Sequence, residues 1–237
     1  MECCHARGRS GAADLVYLGC DVPWVWGHGA CERGFIRGMP MLSSQTPIDK
    51  PATLEDLLQI PEEQRFHEIL DGEVLQKAMP SSGHGDSQGR VAILLRHFNR
   101  QPNGASRRWR FCTEATVRLA QHQIEQSDVA GWQRQRVPAW PYPYPYPMQV
   151  RPDWVCEIMC DGDTRRREGI KKRRIYADSG VSHYWLVDCE RRQLLVLRQT
   201  THGYQEVLQA GPTDRVCAEP FDALALQIGI LFGDDPD

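Results

Sequence analysis

Lysine is scarce in this chain. Of 28 basic residues only Lys50, Lys77, Lys171 and Lys172 are lysine, and the rest are arginine. A chain so biased uses arginine wherever positive charge alone will serve, so a retained lysine marks a place that needs a compact ammonium. Two of the four stand side by side. Long apolar runs are also missing: the longest uncharged stretch, 137–150, is mostly proline and tyrosine, whereas a membrane span needs roughly 18 apolar residues. No membrane partner is expected, and the expected location is cytoplasmic. The nine cysteines include no CxxC pair, which excludes zinc-ribbon spacing. With no signal-peptide pattern, a disulfide framework is not expected, and Cys156 and Cys160 read as small buried hydrophobes. A basic excess is lacking too. At a net charge of −3, any case for a nucleic-acid partner must be local.

What remains is material for one sizeable domain with tails. A chain of 237 residues, 41% hydrophobic and 25% charged, is neither disordered nor fibrous. Residues 1–40 show no helical or strand periodicity and read as a disordered or non-native tail, with translation expected to start at Met39 or Met41. The folded domain is expected over 51–233, followed by an acidic end at 234–237.

Within that domain, Thr53 caps a short helix through Ile60, and Phe66 to Leu75 reads as a hairpin around Asp71-Gly72. Val91, Leu94, Leu95 and Phe98 form one apolar helix face. Strands are expected at Trp109 to Leu119 and about Ile124 to Trp132, then a proline-rich surface loop. Asp153 to Met159 alternates, with Trp154, Cys156 and Ile158 on one face and Asp153, Val155, Glu157 and Met159 on the other. A helix from Thr164 to Ser179 ends at Gly180, and three more strands follow, at His183 to Cys189, Gln193 to Arg198 and Tyr204 to Leu208. The order predicts an α/β domain with a mixed central sheet flanked by helices, entered through a helix and hairpin.

Charge is concentrated in two places. Seven of the ten residues from Arg165 to Arg174 are basic, while the segment after Thr201 carries seven acids against Arg215. The basic run reads either as a solvated helix face or as a phosphate-backbone contact. Glu168, Lys172 and Tyr176 fall at i, i+4 and i+8 and share one face of that helix. Glu157 in mid-strand must reach solvent or find a partner, because an unpaired buried charge is costly. A strand carboxylate facing a helix lysine suits metal-assisted phosphodiester hydrolysis, which needs a second acid. Asp153 lies about 13 Å along the same strand at ~3.3 Å per residue, too far to share an ion with Glu157. Asp128 is the better partner, since neighbouring strands lie only about 4.8 Å apart. His84 reads as a helix-start residue, and Lys50 and Lys77 lie outside any constellation.

These stretches carry a resemblance. From about Ala52 to Phe232 the chain is similar to the putative restriction endonuclease family within the PD-(D/E)xK nuclease superfamily. The matching stretches are His67 to Glu73, His84 at a helix start, Ser127-Asp128-Val129, Pro152 to Ile158, Glu168 to Tyr176, and Gly180 to Asp188. The resemblance implies a restriction-endonuclease-like core, DNA as partner with a homodimer allowed, and a Mg²⁺ site in which Mn²⁺ can substitute. It further implies Asp128 and Glu157 as metal ligands, Glu73 as an additional acid with Glu68 as its alternative, and Lys172 as the lysine, ahead of Lys171. The superfamily's usual lysine position, two residues after the acid, is Met159 here, so the lysine comes from the following helix. A catalytically impaired nucleic-acid-binding or regulatory protein on the same fold is the alternative. Its mark would be the altered turn Met159-Cys160-Asp161-Gly162.

Overall fold

The computed structural model describes residues 50–100, 108–141, 143–160 and 162–234, with the backbone alone at 162–168. The chain divides into two units, 1–45 and 46–237, and everything described lies in the second. The expectations for the tail at 1–40 and for residues 235–237 lie outside the described residues.

Helix α1 (Leu54–Leu58) opens with Thr53 N donating to Asp56 Oδ2 at 2.8 Å. The hairpin follows as β1 (His67–Leu70) and β2 (Glu73–Gln76), turned by Asp71 and Gly72 with φ of 54° and 77°. Both angles are those of a two-residue hairpin turn whose twist matches its strands. Next comes α2 (Ser82–Phe98), where Ser81 Oγ accepts from His84 N at 3.2 Å. Strands β3 (Trp109–Ala120) and β4 (Gln123–Gln133) form a long antiparallel pair. The proline-rich segment after them has no helix or strand of its own among the described residues, but Met148 is clipped to β3 by hydrogen bonds of 2.9 Å to Thr116 and Arg118. Then follow β5 (Trp154–Met159), α3 (Gly162–Asp178), β6 (His183–Asp188), β7 (Gln193–Thr200) and β8 (Gly203–Ala210). A small second sheet pairs β9 (Arg215–Cys217) with β10 (Ala225–Gln227), and a 3₁₀ turn ends the described chain at Ile228–Phe232.

The main sheet runs β2-β1-β4-β5-β6-β7-β8, with β3 added against β4. Only β5 and β6 pair in parallel, because α3 carries the chain back across the sheet between them. The other pairings between the named strands are antiparallel, so the sheet is mixed as the element order predicts. Alternation on β5 sends its side chains into two cores. Trp154, Cys156 and Ile158 meet Trp185, Phe221 and the α2 face, while Val155 meets Tyr176 of α3 and Tyr184. Gly180 follows α3 at φ 74°, a left-handed conformation that favours glycine because it carries no Cβ.

One expectation about cysteine is corrected. Cys160 and Cys189 form a disulfide with Cα atoms 4.8 Å apart. The parallel register sets Met159 beside Asp188, so the residues just beyond both strand ends meet, a long-range proximity that spacing along the chain does not reveal.

Candidate active site

The site grows from the β4–β5 register. Val129 faces Cys156 and Gly131 faces Trp154, and the next step along each strand brings Asp128 level with Glu157. Asp128 Oδ2 accepts from Ile158 N at 2.7 Å, which fixes that carboxylate against the neighbouring strand. Helix α3 then lays two side chains over Glu157. Lys172 Nζ lies 3.4 Å and 3.5 Å from its two oxygens, and Tyr176 OH donates to Oε1 at 2.8 Å. From the other side β1 contributes Glu68, whose Oε1 lies 2.8 Å from Lys172 Nζ. The Gln126 carbonyl, at 3.1 Å, completes the shell of the ammonium.

All of these groups are buried. Asp128, Glu157, Lys172 and Glu68 are each at most 7% exposed, and Glu125 of β4 is 1% exposed. Burial pushes the Glu157 carboxyl up to about 7, Lys172 opposes that shift, and Asp128 adds to it. Burial works against the Lys172 ammonium, yet Glu157, Glu68, Glu125 and Asp128 outweigh it and hold the amine well above the usual lysine value. Burial drives the Glu125 carboxyl well above the usual glutamate value, with Lys172 opposing the shift. Asp128 stays below the usual aspartate value although burial alone would raise it, because His84 and Lys77 stand beside it. His84 Nε2 and Lys77 Nζ lie 3.4 Å and 3.7 Å from Asp128 Oδ1. A cavity of about 30 Å³ lies among Lys77, Asp128, Glu157 and Lys172.

A family model described as "Uma2: Putative restriction endonuclease" matches residues 54–229, a span that holds every side chain of this cluster. The chain belongs to this family. None of the curated proteins matches it. Among solved structures, the Uma2 domain here is similar to a protein from Anabaena variabilis described as a putative nuclease belonging to DUF820. That likeness is 22% identity over 77% of this chain and 98% of the other, with a TM-score of 0.59, and it speaks for the fold.

Of the residues expected at the site, the Uma2 domain brings Asp128, Glu157 and Lys172 together. Glu73 stands elsewhere, and this is a correction. It is exposed on β2, 3.7 Å from Lys171 Nζ: Glu68 and Glu73 share one face of the hairpin, but Glu68 lies on the strand that pairs with β4, whereas Glu73 lies on the edge strand beside the turn. Glu68, the alternative, occupies the place. Asp153 is buried at the opposite end of β5, accepting from Gln133 N at 2.8 Å and paired with Arg136, a structural arrangement. The third correction concerns Lys77, set outside any constellation by sequence and found on the cluster's rim. Its scarcity in an arginine-rich chain was the available signal. Glu125 and Glu114 lay beyond sequence reasoning. Glu114 sits in β3 level with Asp128 at φ 51°, an uncommon conformation for a side-chain-bearing residue. The side chain of Glu168 lies outside the described residues.

Proposed function

We propose that this domain is a divalent-cation-dependent endonuclease that hydrolyses DNA phosphodiester bonds. One observation carries the reading: Asp128 and Glu157 stand level on adjacent strands, both lining one small cavity with the Lys172 ammonium against Glu157. The donor set fits a hard cation. Asp128 and Glu157 supply carboxylate oxygens, and ligand atoms of His84, Glu114 and Asp128 lie within 4.8 Å of one another. Carboxylates with a single imidazole suit Mg²⁺ or Mn²⁺ rather than a thiophilic metal.

Asp128 and Glu157 would hold the ion, which when bound supplies charge neutralisation at the phosphate and a more acidic water. The chain's own groups do the positioning. Ile158 N and Tyr176 OH fix the two carboxylates, and Glu68 with the Gln126 carbonyl aims Lys172. The Lys172 ammonium then offsets negative charge that develops on the phosphate oxygens or orients the attacking water. Arg173, exposed on α3, supports contact with a phosphate backbone.

The test is conversion of supercoiled plasmid to nicked or linear DNA with Mg²⁺ or Mn²⁺. Asp128→Ala and Lys172→Met are each expected to abolish it. Cleavage that survives in both variants, or its absence from the unaltered protein with either ion, overturns the reading.

A further inference from the structure

The cluster holds a second ammonium for which the hydrolytic reading has no task. Lys77 follows the last residue of β2, and its Nζ donates to the Gln126 carbonyl at 3.0 Å. Around it stand Asp128 Oδ1 at 3.7 Å, Glu68 Oε1 at 3.7 Å and Glu114 Oε2 at 3.6 Å. These carboxylate distances are those of ion pairs rather than of hydrogen bonds. Lys172 shares the Gln126 carbonyl and Glu68 with it, yet lies 2.8 Å from Glu68 Oε1 and is buried on a helix. The Lys77 side chain is 18% exposed, against 6% for Lys172. Lys77 is therefore a loosely held cation on a flexible stem, ringed by carboxylates from three strands.

Two of those carboxylates are also the acidic members of the ligand triple His84, Glu114 and Asp128. A divalent ion bound at Asp128 and the Lys77 ammonium would compete for the same negative charge. At such separations the repulsion of two cations is strong even with substantial screening. We propose that Lys77 is a tethered competitor for the divalent cation, neutralising Asp128 and Glu114 in the ion-free site and setting the concentration at which an ion displaces it. This rests on the reading that Asp128 holds the ion, and it assigns Lys77 a positioning part in that site. Lysine is suited to the task where arginine is not, because a compact ammonium on four methylenes can occupy a cation site and swing away without breaking a bidentate fork.

The experiment measures Mn²⁺ binding by calorimetry on the full chain without DNA, at pH 8, for the unaltered protein, Lys77→Met, Lys77→Arg and Asp128→Ala. Removing one competing charge is expected to tighten Mn²⁺ binding at least about tenfold in Lys77→Met. Lys77→Arg keeps the charge on a fork that is harder to displace, so it is expected to bind Mn²⁺ no more tightly than the unaltered protein. Asp128→Ala is expected to lose the binding. Equal or weaker binding by Lys77→Met, in a protein whose binding still depends on Asp128, overturns this inference alone. Absence of Mn²⁺ binding from both the unaltered protein and Lys77→Met removes the inference together with the metal-dependent reading.

Discussion

The two sides of the cluster solve the same electrostatic problem differently. On the inner side Lys172 is 4% exposed, reaches Glu68, Glu157 and a carbonyl at 2.8 to 3.5 Å, and is carried by a helix packed on the sheet. On the rim Lys77 faces Asp128, Glu68 and Glu114 at 3.6 to 3.7 Å from the end of a short hairpin strand. Both ammonium groups touch the Gln126 carbonyl. The difference lies in the element carrying each stem and in access to water, since charge and residue type are identical. A buried ammonium cannot leave without stranding its carboxylates, whereas a rim ammonium can be exchanged for another cation.

The sharpest way to break this comparison is to remove each ammonium in turn. Lys172→Met leaves Glu157 and Glu68 buried and without their shared partner, and breaking a buried pair from one side costs roughly 3–5 kcal/mol. Lys77→Met removes a half-screened pair and is expected to cost less than about 1 kcal/mol. Urea unfolding of both ion-free variants reads the two directly, and equal losses would erase the distinction. Glu68→Gln comes next. It keeps shape and a hydrogen-bond acceptor but loosens Lys172, and groups that orient others at such sites are commonly worth about 10- to 100-fold. Plasmid cleavage is expected to fall by that factor, while Mn²⁺ affinity moves little because Glu68 lines the lysine rather than the cavity.

A pH dependence separates the two sides further. Burial pushes the folded Glu157 carboxyl up to about 7, above the ordinary carboxyl value of 4.5, so the fold favours its protonated form. The native state then binds the extra proton between those values. Stability contributed by this group is highest at low pH and declines as pH rises from about 4.5 to about 7. A cation needs the ionised carboxylate, so its affinity runs the other way and strengthens as pH rises through about 7. Asp128, held below the usual aspartate value, adds no such dependence in that window. Melting of the unaltered protein and Glu157→Gln, with and without Mn²⁺ from pH 5 to 8, is expected to show a steeper ion-free decline in the former and a Mn²⁺ stabilisation that grows with pH only there. A Mn²⁺ stabilisation that is flat across pH 6 to 8 would contradict the assignment of the titration to Glu157.

The mixed sheet and most elements were legible because their signals are local. Alternation marks β5, the Asp71-Gly72 dipeptide marks the hairpin, and Gly180 marks the end of α3. Asp128, Glu157 and Lys172 were legible because strand spacing and helix periodicity place side chains to within one neighbour. Choosing Glu68 over Glu73 depended on which strand of the hairpin docks against β4, a tertiary pairing that the hairpin's own residues do not reveal. Lys77 and the Cys160–Cys189 bond depend on which strand ends meet. Those are properties of the crossover through α3 and of the hairpin's docking onto β4. Nothing within either segment encodes them.

The smallest expected effect lies at the hairpin rim. Lys171 and Lys172 are adjacent on α3, yet neighbouring helical residues point about 100° apart. Lys171 therefore faces outward, 3.7 Å from Glu73, 4.0 Å from Asp71 and 3.4 Å from the Leu70 carbonyl. Its partners reach water, and Arg174 already holds Asp71 at 2.6 Å. Exposed pairs of this kind contribute about 0–1 kcal/mol. Lys171→Met and Glu73→Gln are each expected to leave plasmid cleavage within about twofold and Mn²⁺ affinity unchanged, because neither side chain lines the cavity. A loss comparable to that of Lys172→Met would mean that the outward lysine, rather than the buried one, serves the reaction. The inner side would then be scaffold, holding the sheet and helix together beneath a working site at the rim.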